Sequence, residues 1–100
     1  GGVWLARWTG LPHGMAVETV LGATPDGRWR AAYAYQEREG SFEGEARDGV
    51  LVIRWREVSS TGTVAQGRGR LRPTVTGLSG TYGVNDEETG TGFWSLEPAD

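Results

Sequence analysis

Eight aromatic side chains carry most of the chemistry this sequence can offer: Trp4, Trp8, Trp29, Tyr33, Tyr35, Trp55, Tyr82 and Trp94. Gathered around one space, they would line a pocket for a flat or apolar molecule. Tyrosine hydroxyls and indole N–H groups would orient it. The same rings can also simply fill the interior of a small domain. For a barrel of this size a filled interior is the plainer expectation. A continuous cavity of about 300 Å³ or more, the lower range for ligand pockets, would decide for binding.

Arginine supplies a second candidate. All ten basic residues are arginine, and the formal net charge is -3. Arg54, Arg56, Arg68, Arg70 and Arg72 share one face if the strands that hold them are neighbours. Such a stripe suits an acidic protein surface or a phosphate. Nucleic acid is not expected, because the chain is net negative and no exposed rings interleave with the arginines. The other polar groups are weaker. Asp86, Glu87 and Glu88 form an acidic loop tip whose spacing matches no calcium loop. His13, the only histidine, lies in a turn with no nucleophile or orienting carboxylate fixed beside it. No serine sits in a nucleophile elbow, and the GRGR run lacks the strand–turn–helix setting of a phosphate loop. No catalytic residue, metal site or cofactor is expected.

The elements that must position these residues are short. Alternating runs separated by turn formers predict strands at Val3–Thr9, Met15–Ala23, Arg28–Glu37, Ser41–Arg47, Val50–Val58, Val64–Arg72, Gly77–Val84 and Gly90–Glu97. Asp48-Gly49 is a two-residue hairpin turn. It pairs Arg47 with Val50, Ala46 with Leu51, Gly44 with Ile53 and Phe42 with Trp55. Phe42, Gly44, Ala46, Leu51, Ile53 and Trp55 then fall on one face, and Glu43, Glu45, Arg47, Arg54 and Arg56 on the other. A loop over Glu37–Gly40 would pair Tyr35 with Phe42 and Tyr33 with Gly44. A loop around Asn85–Thr89 sets Tyr82 against Gly92, Gly80 against Trp94 and Leu78 against Leu96. Trp55, Phe42, Tyr33 and Trp94 are then expected to be largely buried. Each inner glycine would leave room for a large side chain across the pair, and would let the strands coil.

The fold expected is all-β: one domain over residues 1–100, a small eight-stranded antiparallel up-and-down barrel, with a β-sandwich as the rival. Short connections and recurring inner glycines favour closure, which also removes sheet edges. Cysteine is absent, so no disulfide contributes and the compartment stays open. No apolar run reaches the ~20 residues of a helical membrane span. Gly1-Gly2 reads as a scar or the start of an excised fragment, so missing targeting signals carry no weight.

The stretches VWLARWTG, GSFEGEARDGVLVIRW, GLSGTYG and GTGFWSL together resemble the calycin group, the lipocalin-like and avidin-like barrels. The resemblance is one of layout over most of the chain. It implies a binder of a small apolar molecule, and no binding residue is carried over from it. The function expected from the sequence is a non-enzymatic module, of bacterial type, that mediates protein–protein association, self-association or assembly within a larger protein or complex. One alternative is a carrier of a small apolar or aromatic ligand, held by Trp8, Trp29, Tyr33, Tyr35, Trp55, Tyr82 and Trp94. Another is a cofactor-free enzyme of cyclase type. That would need a polar group inside, and Gln36, Glu37 and Glu57 are the ones near strand ends.

Overall fold

In the computed structural model, which describes residues 2–99, eight antiparallel strands close into a single barrel in up-and-down order. They are β1 (Gly2–Trp8), β2 (Val17–Ala23), β3 (Trp29–Tyr35), β4 (Arg38–Arg47), β5 (Val50–Ser59), β6 (Val64–Pro73), β7 (Leu78–Val84) and β8 (Gly92–Pro98). Every strand pairs with its neighbour in sequence, and β8 pairs back onto β1 through Ala6 opposite Leu96. Closure rules out the sandwich. Gly1, half of the opening Gly-Gly pair, lies outside the described residues. Among the described residues no helix is long and apolar enough to cross a membrane.

Binary patterning explains the closure. Inward positions on successive strands hold Ala6, Leu21, Ala31, Phe42, Ile53, Leu71 and Leu96, which form one buried cluster. Outward positions hold most of the charges, as in the Arg30–Glu43 and Arg7–Glu97 ion pairs between adjacent strands. All five tryptophans pack against this cluster from either end of the barrel. The β4–β5 hairpin has the expected register, from Arg47 opposite Val50 to Phe42 opposite Trp55. Asp48 and Gly49 both take positive φ, 51° and 79°, as the tight primed turn requires. The β7–β8 pairing is also as expected, with Tyr82 opposite Gly92 and Gly80 opposite Trp94.

The β3–β4 register differs from expectation by four residues. Tyr35 faces Arg38, Tyr33 faces Gly40 and Ala31 faces Phe42. The chain turns at Gln36-Glu37, with both residues at positive φ (42° and 60°), rather than over Glu37–Gly40. Neither residue favours that conformation, which costs roughly 1–2 kcal/mol for each. The turn is held from outside: the Ser60 N–H donates to the Glu37 carbonyl at 2.8 Å. The shift is even, so every inward residue stays inward. Its consequence is that Arg38, Glu39 and Gly40 become strand, and β4 reaches ten residues.

The role of the inner glycines also needs correction. A Cβ on Gly40 would fall inside the Tyr33 ring, 2.6 Å from Cε2, so here a ring does lie across a glycine. At Gly80 the obstacle is different. A Cβ there would be driven into the Arg70 carbonyl oxygen and would stand 3.1 Å from the Leu71 Cα. The obstacle is the β6 backbone, not Trp94. The main job of Gly80 is to let two strands coil closely.

The four rings expected to be largely buried all pack inward. Phe42 is fully enclosed, and Trp55, Tyr33 and Trp94 keep a minor part of their surface exposed. They border an opening at one end of the barrel.

Candidate functional site

The odd strands all run toward one end of the barrel, and that end is hollow. A cavity of about 300 Å³ opens there. Ala6, Thr19 and Phe42 form its floor; Trp8, Tyr33, Tyr35, Trp55, Tyr82 and Trp94 form its walls. Gly10, Leu11 and Pro12 of the β1–β2 connection reach over one side, and Gln36, Arg38 and Glu57 stand on the other. Six of the eight aromatic candidates are thus brought together. Trp4 and Trp29 are not: Trp4 pairs with Thr19 and Pro98, and Trp29 with Ala23 and Gly44 near the opposite end.

Tyr33 and Tyr35 are stacked (centroids 6.1 Å, 28°), while the other ring pairs meet at steep angles. Trp8 stands edge-on to Tyr35 (centroids 5.2 Å, 77°) and tilted against Tyr33 (5.5 Å, 58°). Phe42 meets Trp94 at 5.2 Å and 88°, and Trp55 meets Tyr82 at 6.2 Å and 84°. In an edge-on pair the positive edge of one ring meets the negative face of the other. Such pairs also hold one another in place, each worth about 0.5–1.5 kcal/mol beyond burial.

The polar atoms are mostly committed to the walls. The Trp55 indole N–H donates to the Gly83 carbonyl at 3.1 Å, and that of Trp94 to the Thr81 carbonyl at 3.1 Å. Those two groups brace the barrel rather than orient a ligand. The Tyr33 hydroxyl donates to Glu57 Oε1 at 2.7 Å, and the Tyr35 hydroxyl lies 3.4 Å from both Glu57 oxygens. Arg38 Nη1 stands 3.8 Å from Glu57 Oε2. The Glu57 side chain is only 12% exposed while that of Arg38 is 51% exposed. The carboxylate is therefore fixed inside, and its cationic neighbour sits at the rim.

Burial pushes the Tyr33 hydroxyl far above the ordinary phenol range, and the Glu57 carboxylate adds to the effect. Tyr35 moves the same way, first by burial and then by Glu57. Tyr82 is raised by burial, partly offset by a hydrogen bond with the Gly10 backbone. Each holds its proton in the folded protein at a pH where the unfolded chain releases it. Stability is therefore complete below about pH 10 and declines as pH rises beyond it. Tyr33 alone sets a slope of about 1.4 kcal/mol per pH unit. The chain has neither lysine nor cysteine, so tyrosines are the only side chains that titrate there. Urea unfolding across this range should show the decline, and Tyr33→Phe should flatten it. An unchanged midpoint up to about pH 11 would contradict the environment described for Tyr33.

The arginine stripe lies elsewhere, on the outer face of β5 and β6. Arg54 faces Arg68 directly, and Arg70 and Arg56 flank them opposite Val52 and Gln66. Arg68 reaches toward Asp86 at 4.0 Å. Glu43, opposite Arg54 in the β4–β5 ladder, instead makes its ion pair with Arg30 at 3.4 Å. His13 is exposed in its turn. Among the described residues no group of His, Asp or Glu is arranged to hold a metal ion.

Arg38 is the site residue that sequence reasoning missed. Its signal was parity: it shares the inward phase of Gly40 and Phe42, and only the misplaced turn hid it. No protein-family model, curated protein or solved structure matches the chain.

Proposed function

We propose that this barrel binds a small, largely apolar or aromatic molecule in its open end, as a calycin-like carrier. The observation that supports this reading is the cavity itself, about 300 Å³ walled by six aromatic rings. That is the lower limit of ordinary ligand pockets, and the lining combines many apolar surfaces with few polar groups, as such pockets do. The reading replaces association as the leading role, since the rings do not fill the interior. It also weighs against a cyclase-type enzyme. Glu57 is the carboxylate in the cavity, and its oxygens already accept from two tyrosine hydroxyls, which suits a fixed charge better than a proton carrier.

The test uses N-phenyl-1-naphthylamine, a neutral probe that is bright only away from water. The expected result is enhanced emission, quenched tryptophan fluorescence and a raised Tm. Ligand at a hundredfold excess over Kd stabilises the fold by about 2.7 kcal/mol. Ala6→Leu, which grows into the cavity floor, should abolish the enhancement while the protein stays folded. Equal enhancement in that variant would place the probe elsewhere and defeat the reading.

A second reading rests on Arg54 facing Arg68. Like charges directly opposite on a ladder cost stability, and Arg70 and Arg56 extend the patch. An acidic protein surface docking there would offset the repulsion. Arg54→Glu with Arg70→Glu should then abolish that association, which salt should also weaken. Association that survives both changes would exclude the stripe.

A further inference from the structure

The mouth cavity holds one fixed charge, and its sign discriminates between ligands. Glu57 is nearly enclosed and is anchored by the Tyr33 and Tyr35 hydroxyls. The balancing guanidinium of Arg38 is half exposed, is 3.8 Å away, and sits on a long flexible side chain. It can swing into water, whereas Glu57 cannot leave. A carboxylate offers about four lone-pair directions, so two tyrosine hydroxyls do not exhaust it. The rings of Trp8, Tyr33, Tyr35 and Tyr82 line the same cavity. Each ring presents a negative face. Fixed carboxylate and ring faces therefore act together: they favour a cation and oppose an anion. The low dielectric of a half-closed cavity strengthens both effects.

We propose that the cavity takes a small organic cation, an amine or quaternary ammonium group on an apolar or aromatic body. Glu57 is its charge partner, and Arg38 is the group it displaces. The inference rests on the reading of this cavity as a ligand site and adds the class of ligand. Shape is compatible as well: a space near 300 Å³ has the size of a small-ligand pocket and takes a ring-bearing body with a compact head group.

Three probes of similar size separate charge from shape. Benzyltrimethylammonium is the cation, neopentylbenzene its neutral carbon isostere, and phenylacetate the anion. Calorimetric titration should show the cation binding about tenfold tighter than the neutral isostere, or better, with no detectable binding of phenylacetate. Glu57→Gln keeps an acceptor for the Tyr33 hydroxyl and removes the charge. It should bring the cation to within about threefold of the isostere and leave the isostere unchanged. Arg38→Gln supplies an independent arm: it should tighten cation binding severalfold, because a competing positive charge has gone. Equal affinity for cation and isostere in the unaltered protein would overturn the proposal. So would an unchanged ratio in Glu57→Gln, or weaker cation binding in Arg38→Gln. If the isostere binds without any preference for the cation, the charge assignment alone falls. If none of the three binds, the ligand reading falls and takes the proposal with it.

Discussion

Gly80→Val should destabilise the barrel by about 3 kcal/mol or more, at the upper end of what overpacking costs. Valine favours strands, so on an open sheet the same change would be neutral or helpful. Here the added Cβ has nowhere to go. It points into the Arg70 carbonyl and lies 2.8 Å from that carbonyl's carbon and 3.1 Å from the Leu71 Cα. Those atoms belong to the β6 backbone, so relief requires β6 and β7 to separate, not one side chain to rotate. That separation would disturb the ladder on both sides of Leu71, which is fully buried. Urea unfolding monitored by tryptophan fluorescence gives the answer directly. A variant with a midpoint equal to or above that of the parent would show that β6 and β7 are not coiled as closely as described.

Leu96→Ala should cost about 3–5 kcal/mol, the range for a large core residue cut back where the surroundings cannot collapse. Leu96 is fully buried and faces Ala6 on one side and Leu78 on the other. It therefore belongs to both ladders that β8 makes, one of which closes the barrel. Phe93, on the same strand and the opposite face, is 73% exposed. Phe93→Ala should change stability by no more than about 0.5 kcal/mol, as surface substitutions do. The pair of values tests the phase of β8. If the aromatic change proved the costlier of the two, β8 would be turned inside out.

The legible parts of this fold were those where local chemistry and the inside–outside pattern agree. Asp48-Gly49 suits a primed turn, and the residues on either side alternate cleanly, so the β4–β5 register follows to the residue. At Gln36-Glu37 the two signals conflict. Neither residue favours positive φ, while the nearby Glu-Arg-Glu-Gly run looks like an ordinary turn. The ladder prevails because it pairs Tyr33 with Gly40, where the phenol ring finds room, and because Ser60 clasps the turn from β5's far end. Such gains arise between strands and leave no trace in a six-residue window. The cost of missing them was Arg38. The aromatic part of the site was legible from parity alone. What parity does not contain is height along the barrel axis, and so it grouped Trp29 with rings that stand at the other end. Nor does it show whether rings meet in the middle or stop short and leave a space.

Seven of the eight ladders join strands that are neighbours in the chain; the eighth, between β1 and β8, does not. Its partners, such as Ala6 and Leu96, are roughly 90 residues apart. Bringing them together costs on the order of 4 kcal/mol of chain entropy, growing only as the logarithm of the length between them. The hairpins carry no such burden and can form on the microsecond scale. Folding therefore faces one long-range event, and the rings at Trp8 and Trp94, paired across that last seam, meet only when it is complete. The hollow end exists only once this seam has formed, so the cavity cannot appear before the two terminal strands have found each other.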